Sequence, residues 1–382
     1  MTFLIKEIIE KLENLVPLGL QEKWDNSGYQ LKLADEPAAG VLISLELSPE
    51  AVSLAVNNKC NLIITHHPFF FNPIKSPSQS PLQSIDINST DAAIVNTLLN
   101  NKICVYSMHT NFDSSVYSMS RFIAQKINLT SLLPIYPAKK KLYKLSVFVP
   151  KGYIYAVREA LFKYANPVIG NYEDCSFETK GKGSFKPVSG ANPFIGESDK
   201  TSFVDESKIE VIVAENNLDK TIEEMKKVHP YEEVAYDVYP LAGYGGDDLA
   251  GLGVIGKFNE NETEVTLQNL IIKVKNITNS TYVNYTGNLK RVIRKVAIIS
   301  GSGFSYINEA MNKGADVFIS SECSYHEAIK AYNNNLCLID IPHFDSEKSF
   351  NEILKEILER YFEIKILTNN IDFNPILNFK GD

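Results

Sequence analysis

The chain lacks the features of a membrane or secreted protein. No apolar stretch within its 382 residues approaches the roughly 20 residues that span a bilayer. The start, residues 1–16, has apolar residues at helical spacing but neither the apolar core nor the cleavage site of a signal peptide. The five cysteines occur singly, without a Cys-x-x-Cys pair, which fits a reducing compartment. We therefore expect a cytoplasmic protein that does not bind membranes.

Positive charge is also scarce. The formal net charge is −8, and the only basic run is Lys139-Lys140-Lys141, which we interpret as part of a solvated linker. Nucleic-acid-binding proteins usually carry a basic face, so we do not expect DNA or RNA as a partner. The glycine-rich middle of the chain lacks the Gly-x-x-x-x-Gly-Lys-Ser/Thr pattern of a phosphate-binding loop.

The order of the predicted elements indicates an α/β protein with an inserted domain. At 382 residues the chain should form two or three domains. Strands alternate with helices in residues 1–136 and again in 251–382, which predicts two lobes of one α/β/α domain with mostly parallel sheets. Residues 137–250 follow a β-α-β-β-α-β order, which predicts a ferredoxin-like α+β insert. A long hairpin is predicted within 170–196, and one helix over 346–361.

Four of the six histidines lie at predicted strand ends. His66 and His67 follow the strand at residues 60–65, His109 follows 103–108, and His343 follows 336–341. The carboxyl ends of parallel strands share one edge of a sheet, where open α/β sheets keep their sites. Neighbours on a strand point to opposite faces. His66 and His67 can therefore serve one site only if Pro68 ends the strand or if two ions lie side by side.

Carboxylates accompany these histidines. Asp113 lies four residues after His109, and Glu347 lies four residues after His343, which places that pair on one face if a helix starts near Pro342. Imidazole and carboxylate ligands suit zinc, manganese, iron or cobalt better than calcium. More than four candidate ligands suggest two divalent ions per chain. A single histidine after a strand is more often structural, so the prediction depends on the whole combination.

Several motifs resemble the NIF-three-like family, whose members are named by homology as GTP cyclohydrolase I type 2. They are residues 24–28 (WDNSG), 63–68 (IITHHP), 108–113 (MHTNFD), 301–303 (GSG) and 342–347 (PHFDSE). The resemblance implies the two-lobed fold and a toroidal homohexamer. It implies metal ligands at His66, His67, Asp113, His343 and Glu347, with His109 as a catalytic or substrate-contacting group.

The middle segment resembles the PII/CutA-like insert of the longer bacterial members of that family. The matching motifs are residues 183–187 (GSFKP), 190–196 (GANPFIG) and 229–233 (HPYEE). The chain also departs from the family pattern. Glu46 and Glu322 stand where an aspartate is usual, and Pro342 stands where a glycine is usual. All five implied ligand types remain.

Two functions fit these features. The first is a dinuclear metal-dependent hydrolase acting on a nucleotide-like small molecule, with His109 shuttling protons. The alternative is a metal-binding regulator or assembly scaffold with a PII-like sensing insert. His229 ends a predicted helix before Pro230, so it is either a structural helix stop or part of a second site with Glu232 and Glu233. His326 either has a structural role or lines the pocket rim. Trp24 anchors a core or an interface, and Asp25 and Asn26 are candidates to face the pocket.

Overall fold

The structure is a computed structural model that describes residues 3–70, 89–138, 142–165, 167–169, 172–242, 249–259, 264–369 and 375–376. The chain divides into two compact units, Met1–Ala138 with Asp248–Asp382, and Lys139–Asp247. The basic run Lys139-Lys140-Lys141 lies outside the described residues. Of the helices described, none has both the length and the apolar character required to cross a bilayer.

The helices and strands fall into three segments along the chain. The first segment contains α1 (Ile5–Leu15), β1 (Gly28–Leu31), β2 (Val41–Ser44), α2 (Pro49–Asn57), β3 (Leu62–Thr65), α3 (Thr90–Asn100), β4 (Cys104–Ser107), α4 (Thr110–Asp113), α5 (Met119–Lys126), β5 (Thr130–Leu133) and β6 (Tyr136–Pro137). The middle segment contains β7 (Leu142–Pro150), α6 (Ile154–Ala165), β8 (Ser176–Phe185), β9 (Ser202–Ala214), α7 (Glu215–Val228) and β10 (Tyr236–Leu241). The last segment contains β11 (Gly251–Leu252), β12 (Val254–Lys257), α8 (Leu267–Ile277), β13 (Asn284–Thr286), β14 (Lys295–Ile298), α9 (Ile307–Asn312), β15 (Val317–Ser320), α10 (Tyr325–Asn333), β16 (Cys337–Asp340), α11 (His343–Glu347), α12 (Ser349–Tyr361) and β17 (Ile366–Thr368).

The first sheet has the order β1-β4-β3-β2-β17. Strands β4, β3, β2 and β17 are parallel, and β1 is antiparallel to β4 at one edge. Successive side chains face opposite layers: Ile64 packs with α1 and α12, whereas Ile63 packs with α2 and α3. Helices therefore cover both faces, which explains why β2, β3 and β4 are apolar without alternation.

The second sheet has the order β13-β16-β15-β14-β12-β5. Only β16, β15 and β14 are parallel. The two sheets exchange edge strands, because β17 from the last segment joins the first sheet and β5 from the first segment joins the second. The structure thus confirms the α/β class, and it shows that neither sheet is built from one continuous stretch of chain.

The middle unit contains an antiparallel sheet of order β10-β7-β9-β8. Helices α6 and α7 cover one face of this sheet through a core that includes Leu145, Leu161, Val211 and Met225. The hairpin predicted within 170–196 is wrong in its register. Among the described residues of that stretch only β8 is a strand, and its partner is β9, because Pro187, Pro193 and the neighbouring glycines disfavour a return strand there. The likeness of this unit to PII or CutA proteins stays a prediction.

The helix predicted over 346–361 is two helices. The short α11 begins at His343 with Pro342 at its N-cap position, and α12 begins after Lys348. Proline without an N–H is tolerated where the first helical donors have no partner. The start of α11 at His343 puts His343 and Glu347 on one helical turn, as expected if a helix starts near Pro342.

Candidate metal centre

The turn after β3 brings both histidines of the adjacent pair into one space. The backbone N–H of His66 donates to Ser44 O at 3.1 Å and that of His67 donates to Leu45 O at 3.0 Å. The Thr65 hydroxyl then donates to the carbonyl of His67 at 2.8 Å, which turns the chain at Pro68. As a result the two imidazole centroids lie 4.8 Å apart, although neighbours on a regular strand would point apart.

Helix α11 supplies the opposite side of this space. Glu347 is 3% exposed, and its carboxylate lies among three imidazoles. Its Oε1 is 3.1 Å from His343 Nε2 and 3.8 Å from His66 Nε2, and its Oε2 is 3.2 Å from His67 Nε2. Ligand-type residues from both outer segments of the chain therefore meet at one place.

The turn after β4 contributes His109 and Asp113. His109 occupies the N-cap position of α4, and Asp113 is its last residue. The Oδ1 of Asp113 lies 3.9 Å from His66 Nε2, and the ring of His109 lies 5.2 Å from that of His66 and 5.3 Å from that of His67. The structure thus brings together every residue that the sequence suggested for this site, and we call this group the histidine cluster: His66, His67, His109, Asp113, His343 and Glu347.

Three buried polar atoms of the histidine cluster have no hydrogen-bond partner among the described residues. They are His66 Nε2, Asp113 Oδ1 and Glu347 Oε2; the last forms an ion pair with His67 Nε2 at 3.2 Å but lacks the geometry of a hydrogen bond. A buried polar group without a partner costs free energy on the order of 1–3 kcal/mol, so such atoms normally indicate an ordered water, an ion or a catalytic role. Here all three converge, which is the arrangement expected of a metal-ion site.

Each imidazole of the histidine cluster is held through Nδ1. His67 Nδ1 lies 2.6 Å from Glu46 Oε1, His109 Nδ1 lies 2.8 Å from Asp25 Oδ1, and His343 Nδ1 lies 3.0 Å from Glu322 Oε1. His66 Nδ1 lies 2.9 Å from the carbonyl oxygen of Met108. Metal-binding histidines typically donate one ring N–H to a carboxylate or carbonyl, which orients the other nitrogen towards the ion.

The titratable groups of the histidine cluster differ in the direction of their pKa shifts. Burial lowers the pKa of His66 to about 4, so this imidazole is neutral at physiological pH. Burial would also lower the pKa of His67 and His343, but the carboxylate of Glu347, with Glu46 or Glu322, raises these values to about 11 and about 9. Burial and the charge of Glu347 raise the pKa of Asp113 well above its ordinary value. A divalent ion would displace the protons that these groups hold.

The backbone of Gly301 lies directly against the histidine cluster. A Cβ atom at this position would collide with Glu347 Oε1 and would lie 3.4 Å from His343 Nε2. The φ angle of Gly301 is +70°, which glycine adopts without strain. Its N–H donates to Ser346 Oγ at 2.8 Å, so the loop that begins the helical segment after β14 is fastened to α11.

Sequence reasoning missed the residues that orient the imidazoles. The sequence suggests only that Asp25 faces the pocket, whereas its buried carboxylate accepts hydrogen bonds from His109, Ser27 and the Thr110 backbone. Burial opposes ionisation of this carboxyl, but these hydrogen bonds hold its pKa well below the ordinary value. Glu46 and Glu322 stand out in the sequence only as departures from a family pattern. Acidic residues at those two positions were the available signal.

The remaining histidines lie elsewhere. His229 is in the middle unit, where its Nε2 pairs with the Phe148 carbonyl at 3.0 Å and its Nδ1 accepts the Tyr231 N–H at 3.2 Å. This geometry matches the structural helix stop, not a second site. His326 is exposed on α10 and is not among the described residues that line the cavity. Trp24 is 56% exposed beside His109, with ring centroids 5.8 Å apart, so it is not a core residue of this chain.

The ligand atoms form two overlapping groups that could each hold a metal ion. One group is His66, His67 and His109, and the other is His67, His343 and Glu347; within each group the ligand atoms lie within 4.8 Å of one another. His109 therefore belongs to the potential donor set, although the sequence suggested a catalytic role for it.

Comparisons with known proteins agree along almost the whole chain. Proteins named GTP cyclohydrolase 1 type 2 homolog are 35% identical over 376 residues in Staphylococcus epidermidis, covering 97% of this chain and 98% of that protein, and 35% identical over 374 residues in Halalkalibacterium halodurans, covering 96% and 97%. A solved Bacillus cereus protein related to NIF3 superposes with a TM-score of 0.80 at 31% identity, covering 99% of both chains. A solved Staphylococcus aureus protein gives 0.73 at 27% identity, also covering 99% of both. The model of the family described as Duf34/NIF3 (NGG1p interacting factor 3) matches residues 3–375, and the chain belongs to that family.

Proposed function

We propose that the chain binds two divalent metal ions in the histidine cluster and uses them to hydrolyse a small nucleotide-like molecule. The observation that carries this proposal is the pair of buried ligand atoms His66 Nε2 and Asp113 Oδ1, which lie 3.9 Å apart beside the Glu347 carboxylate and have no hydrogen-bond partners among the described residues. Neutral imidazole nitrogen and carboxylate oxygen together fit zinc, manganese, iron or cobalt.

The number of donors supports two ions. A single catalytic zinc usually takes three protein ligands, whereas this cluster offers five ligand side chains, His66, His67, Asp113, His343 and Glu347, with His109 beside them. The Glu347 carboxylate contacts His343 and His66 through Oε1 and His67 through Oε2. A carboxylate among three imidazoles could help to hold both ions, and Glu347 would be the residue that they share.

The chain's own residues complete the proposed chemistry. Ions of this kind supply Lewis acidity, which polarises a substrate oxygen or C=N bond and acidifies water. Asp25 holds Nδ1 of His109, which fixes the tautomer and directs Nε2 to proton exchange near the cluster. The cyclohydrolase reaction is taken from the name that the curated relatives bear, and fold alone does not establish a reaction.

Metal content and turnover test this function together. Protein purified without chelator should contain close to two divalent ions per chain by elemental analysis, and it should hydrolyse a member of a panel of nucleotides, nucleosides and nucleobases when manganese or zinc is supplied. His67→Ala should lose both properties. His326→Ala is the matched control, because His326 is exposed on α10.

The outcomes separate the candidate functions. Turnover that survives the loss of metal in His67→Ala would refute the proposed mechanism. Two bound ions without turnover across the panel would instead favour the metal-binding regulator or scaffold.

We further propose that copies of the chain assemble into a homohexameric ring. The family resemblance suggests this assembly, and exposed aromatic side chains support a self-association surface. Tyr155, Tyr172, Phe177 and Phe203 of the middle unit are each at least 64% exposed. Light scattering of the full chain should give the mass of six copies, and a monomer at micromolar concentration would contradict this proposal.

A further inference from the structure

A cavity of about 780 Å³ opens on the histidine cluster. Beyond the cluster, its lining includes Trp24, Leu45, Tyr306 and Phe344. This volume and a largely apolar wall with a few convergent polar groups are typical of a small-molecule site. The exposed indole of Trp24 provides a flat apolar surface, on which a planar ring can stack irrespective of its base identity.

The charge of the cavity does not suit a polyphosphate. Among the described residues that line it there is no lysine or arginine, the side chains that most often bind phosphate groups. Glu22, Glu46 and Glu50 line it instead, in addition to Asp113 and Glu347. Like charges brought together at short range repel, so the side chains of this cavity disfavour a ligand that carries several phosphates.

The loop at residues 300–303, which lines the cavity, is not a phosphate-binding loop either. Phosphate-binding loops direct backbone N–H groups at the anion. In this loop the N–H groups of Ser300, Gly301 and Gly303 donate to the hydroxyls of Ser120, Ser346 and Ser320 at 2.9, 2.8 and 2.9 Å. These donors are already used to fasten the loop to its surroundings.

The N-terminus of α2 is closed to phosphate in a similar way. Ser48 and Glu50 both line the cavity. The Ser48 side chain accepts the Ala51 N–H, Pro49 has no N–H to offer, and Glu50 places a carboxylate in the first turn. A carboxylate in the first turn interacts favourably with the positive end of the helix dipole and repels a second anion there.

Metal ions would not reverse this balance. The positive charge of two divalent ions is already exceeded by five carboxylates that contact the imidazoles of the cluster. They are Asp25, Glu46, Asp113, Glu322 and Glu347. The loaded site would therefore retain little positive charge for a triphosphate.

We infer that this cavity binds a planar nitrogen heterocycle without a polyphosphate, in the form of a neutral or cationic base or nucleoside. The ring stacks on Trp24, and its N–H groups donate to carboxylates at the rim such as Glu22 and Glu50. The inference deepens the proposed function, because it names the substrate class of the same site. It also assigns the reacting atom to the ring and not to phosphorus.

The single tryptophan of the chain makes a direct test feasible. Zinc-loaded full-length protein is titrated with guanosine, GTP and inorganic tripolyphosphate, and Trp24 fluorescence is followed with correction for ligand absorbance. Guanosine and GTP share a base, so they differ only in the phosphates. Guanosine should quench saturably, GTP should bind at least tenfold more weakly, and tripolyphosphate should neither quench nor compete.

Variants at the rim test the role of charge. Glu22→Gln and Glu50→Gln should each reduce the ratio of the Kd for GTP to the Kd for guanosine several-fold. Glu36, which pairs with Lys102 away from the cavity, is the control, and Glu36→Gln should leave this ratio unchanged. An unaltered ratio of the two Kd values in both rim variants would overturn the proposed role of these carboxylates in selectivity. Tighter binding of GTP than of guanosine, or competition by tripolyphosphate, would overturn the inference itself.

Zinc content measured in the same samples separates this inference from the proposed function. Retained zinc without quenching by guanosine, adenosine or cytidine would refute the ligand class and leave the metal centre standing. Quenching by a nucleoside in protein that cannot retain zinc would support the ligand class and refute the metal centre.

Discussion

His67 in the histidine cluster and His229 in the middle unit share a local sequence pattern but have opposite surroundings. Each is followed directly by proline and has a glutamate nearby: Glu46 contacts His67, and Glu232 and Glu233 follow His229 in sequence. The two nitrogens of His229 pair with backbone groups of its own unit. Those of His67 pair with carboxylates from two remote segments.

The difference shows what distinguishes a ligand-type histidine from a structural one. A His-Pro dipeptide ends an element in both places, so the local pattern carries no information about binding. What differs is the long-range arrangement. Beside His67, the buried Nε2 of His66 has no hydrogen-bond partner among the described residues, whereas both ring nitrogens of His229 have one. Removing a histidine from each region should therefore have unequal consequences.

The largest expected effect is the loss of metal from His66→Ala. The side chain of His66 is fully buried, and within the described part of the chain its Nε2 has no hydrogen-bond partner that an ion would have to replace. We expect metal affinity to fall by more than about 100-fold, which exceeds the usual effect of residues that only orient ligands. His229→Ala should weaken the middle unit and leave the metal content unchanged. Elemental analysis of both variants after dialysis makes the measurement, and equal metal content would erase the distinction between the two histidines.

A change at Gly301 should come next in size. Gly301→Ala places a Cβ against Glu347 Oε1, so the carboxylate must move and metal affinity should fall by about 100-fold or less. Gly314→Ala is the matched control, since its φ of +73° is similar and nothing lies within 4 Å of the added Cβ. Both variants carry the same backbone strain, and zinc titration isolates the collision. A similar loss in both would mean that strain and not contact is responsible.

The sequence predicted the candidate ligands of the site more completely than the residues that orient them. His66, His67 and His343 lie at strand ends, and hydrophobic runs that precede a turn make strand ends visible in a sequence. The orienting carboxylates Asp25 and Glu322 lie in loops with no periodicity, and only tertiary structure places them beside an imidazole.

The α/β class could be predicted because its strands are visible in the sequence. The pairing of those strands could not, because it depends on residues remote in sequence. Parallel strands such as β3 are continuous apolar runs, so the α/β class could be inferred. The exchange of β5 and β17 between the sheets depends on pairing between residues such as Ile366 and Val41, which are remote in sequence. The hairpin of β8 was misplaced because the register of a strand pair is set by its partner, and that partner, β9, lies beyond the predicted stretch.

The orienting carboxylates should have smaller effects than the ligands. Glu46→Gln keeps the shape of the side chain but weakens its hold on His67 Nδ1, which lies 2.6 Å from Glu46 Oε1. Outer partners of this kind are typically worth 10–100-fold in affinity, and the 63% exposure of the Glu46 side chain places it near the lower figure, about 10-fold. Glu36→Gln, on the surface beside Lys102, is the control. Zinc affinity unchanged in Glu46→Gln would show that His67 needs no orienting carboxylate.

The smallest effect is a difference in the pH dependence of stability. Burial lowers the pKa of His229 below 6.5, so the unfolded chain binds the proton more readily than the folded unit. The stability that the neutral imidazole contributes is therefore present above pH 6.5 and is lost as the pH falls below it. His67 and His343 have raised pKa values of about 11 and about 9. In metal-free protein their contribution has the opposite sign: it is present below pH 6.5 and is lost as the pH rises through those values.

An NMR titration of the His229 ring should give a midpoint below 6.5, and the unfolding temperature should fall more between pH 7 and pH 5 in the wild type than in His229→Gln. A midpoint at or above 6.5 would mean that burial does not lower the pKa of His229, and its contrast with His67 and His343 would disappear.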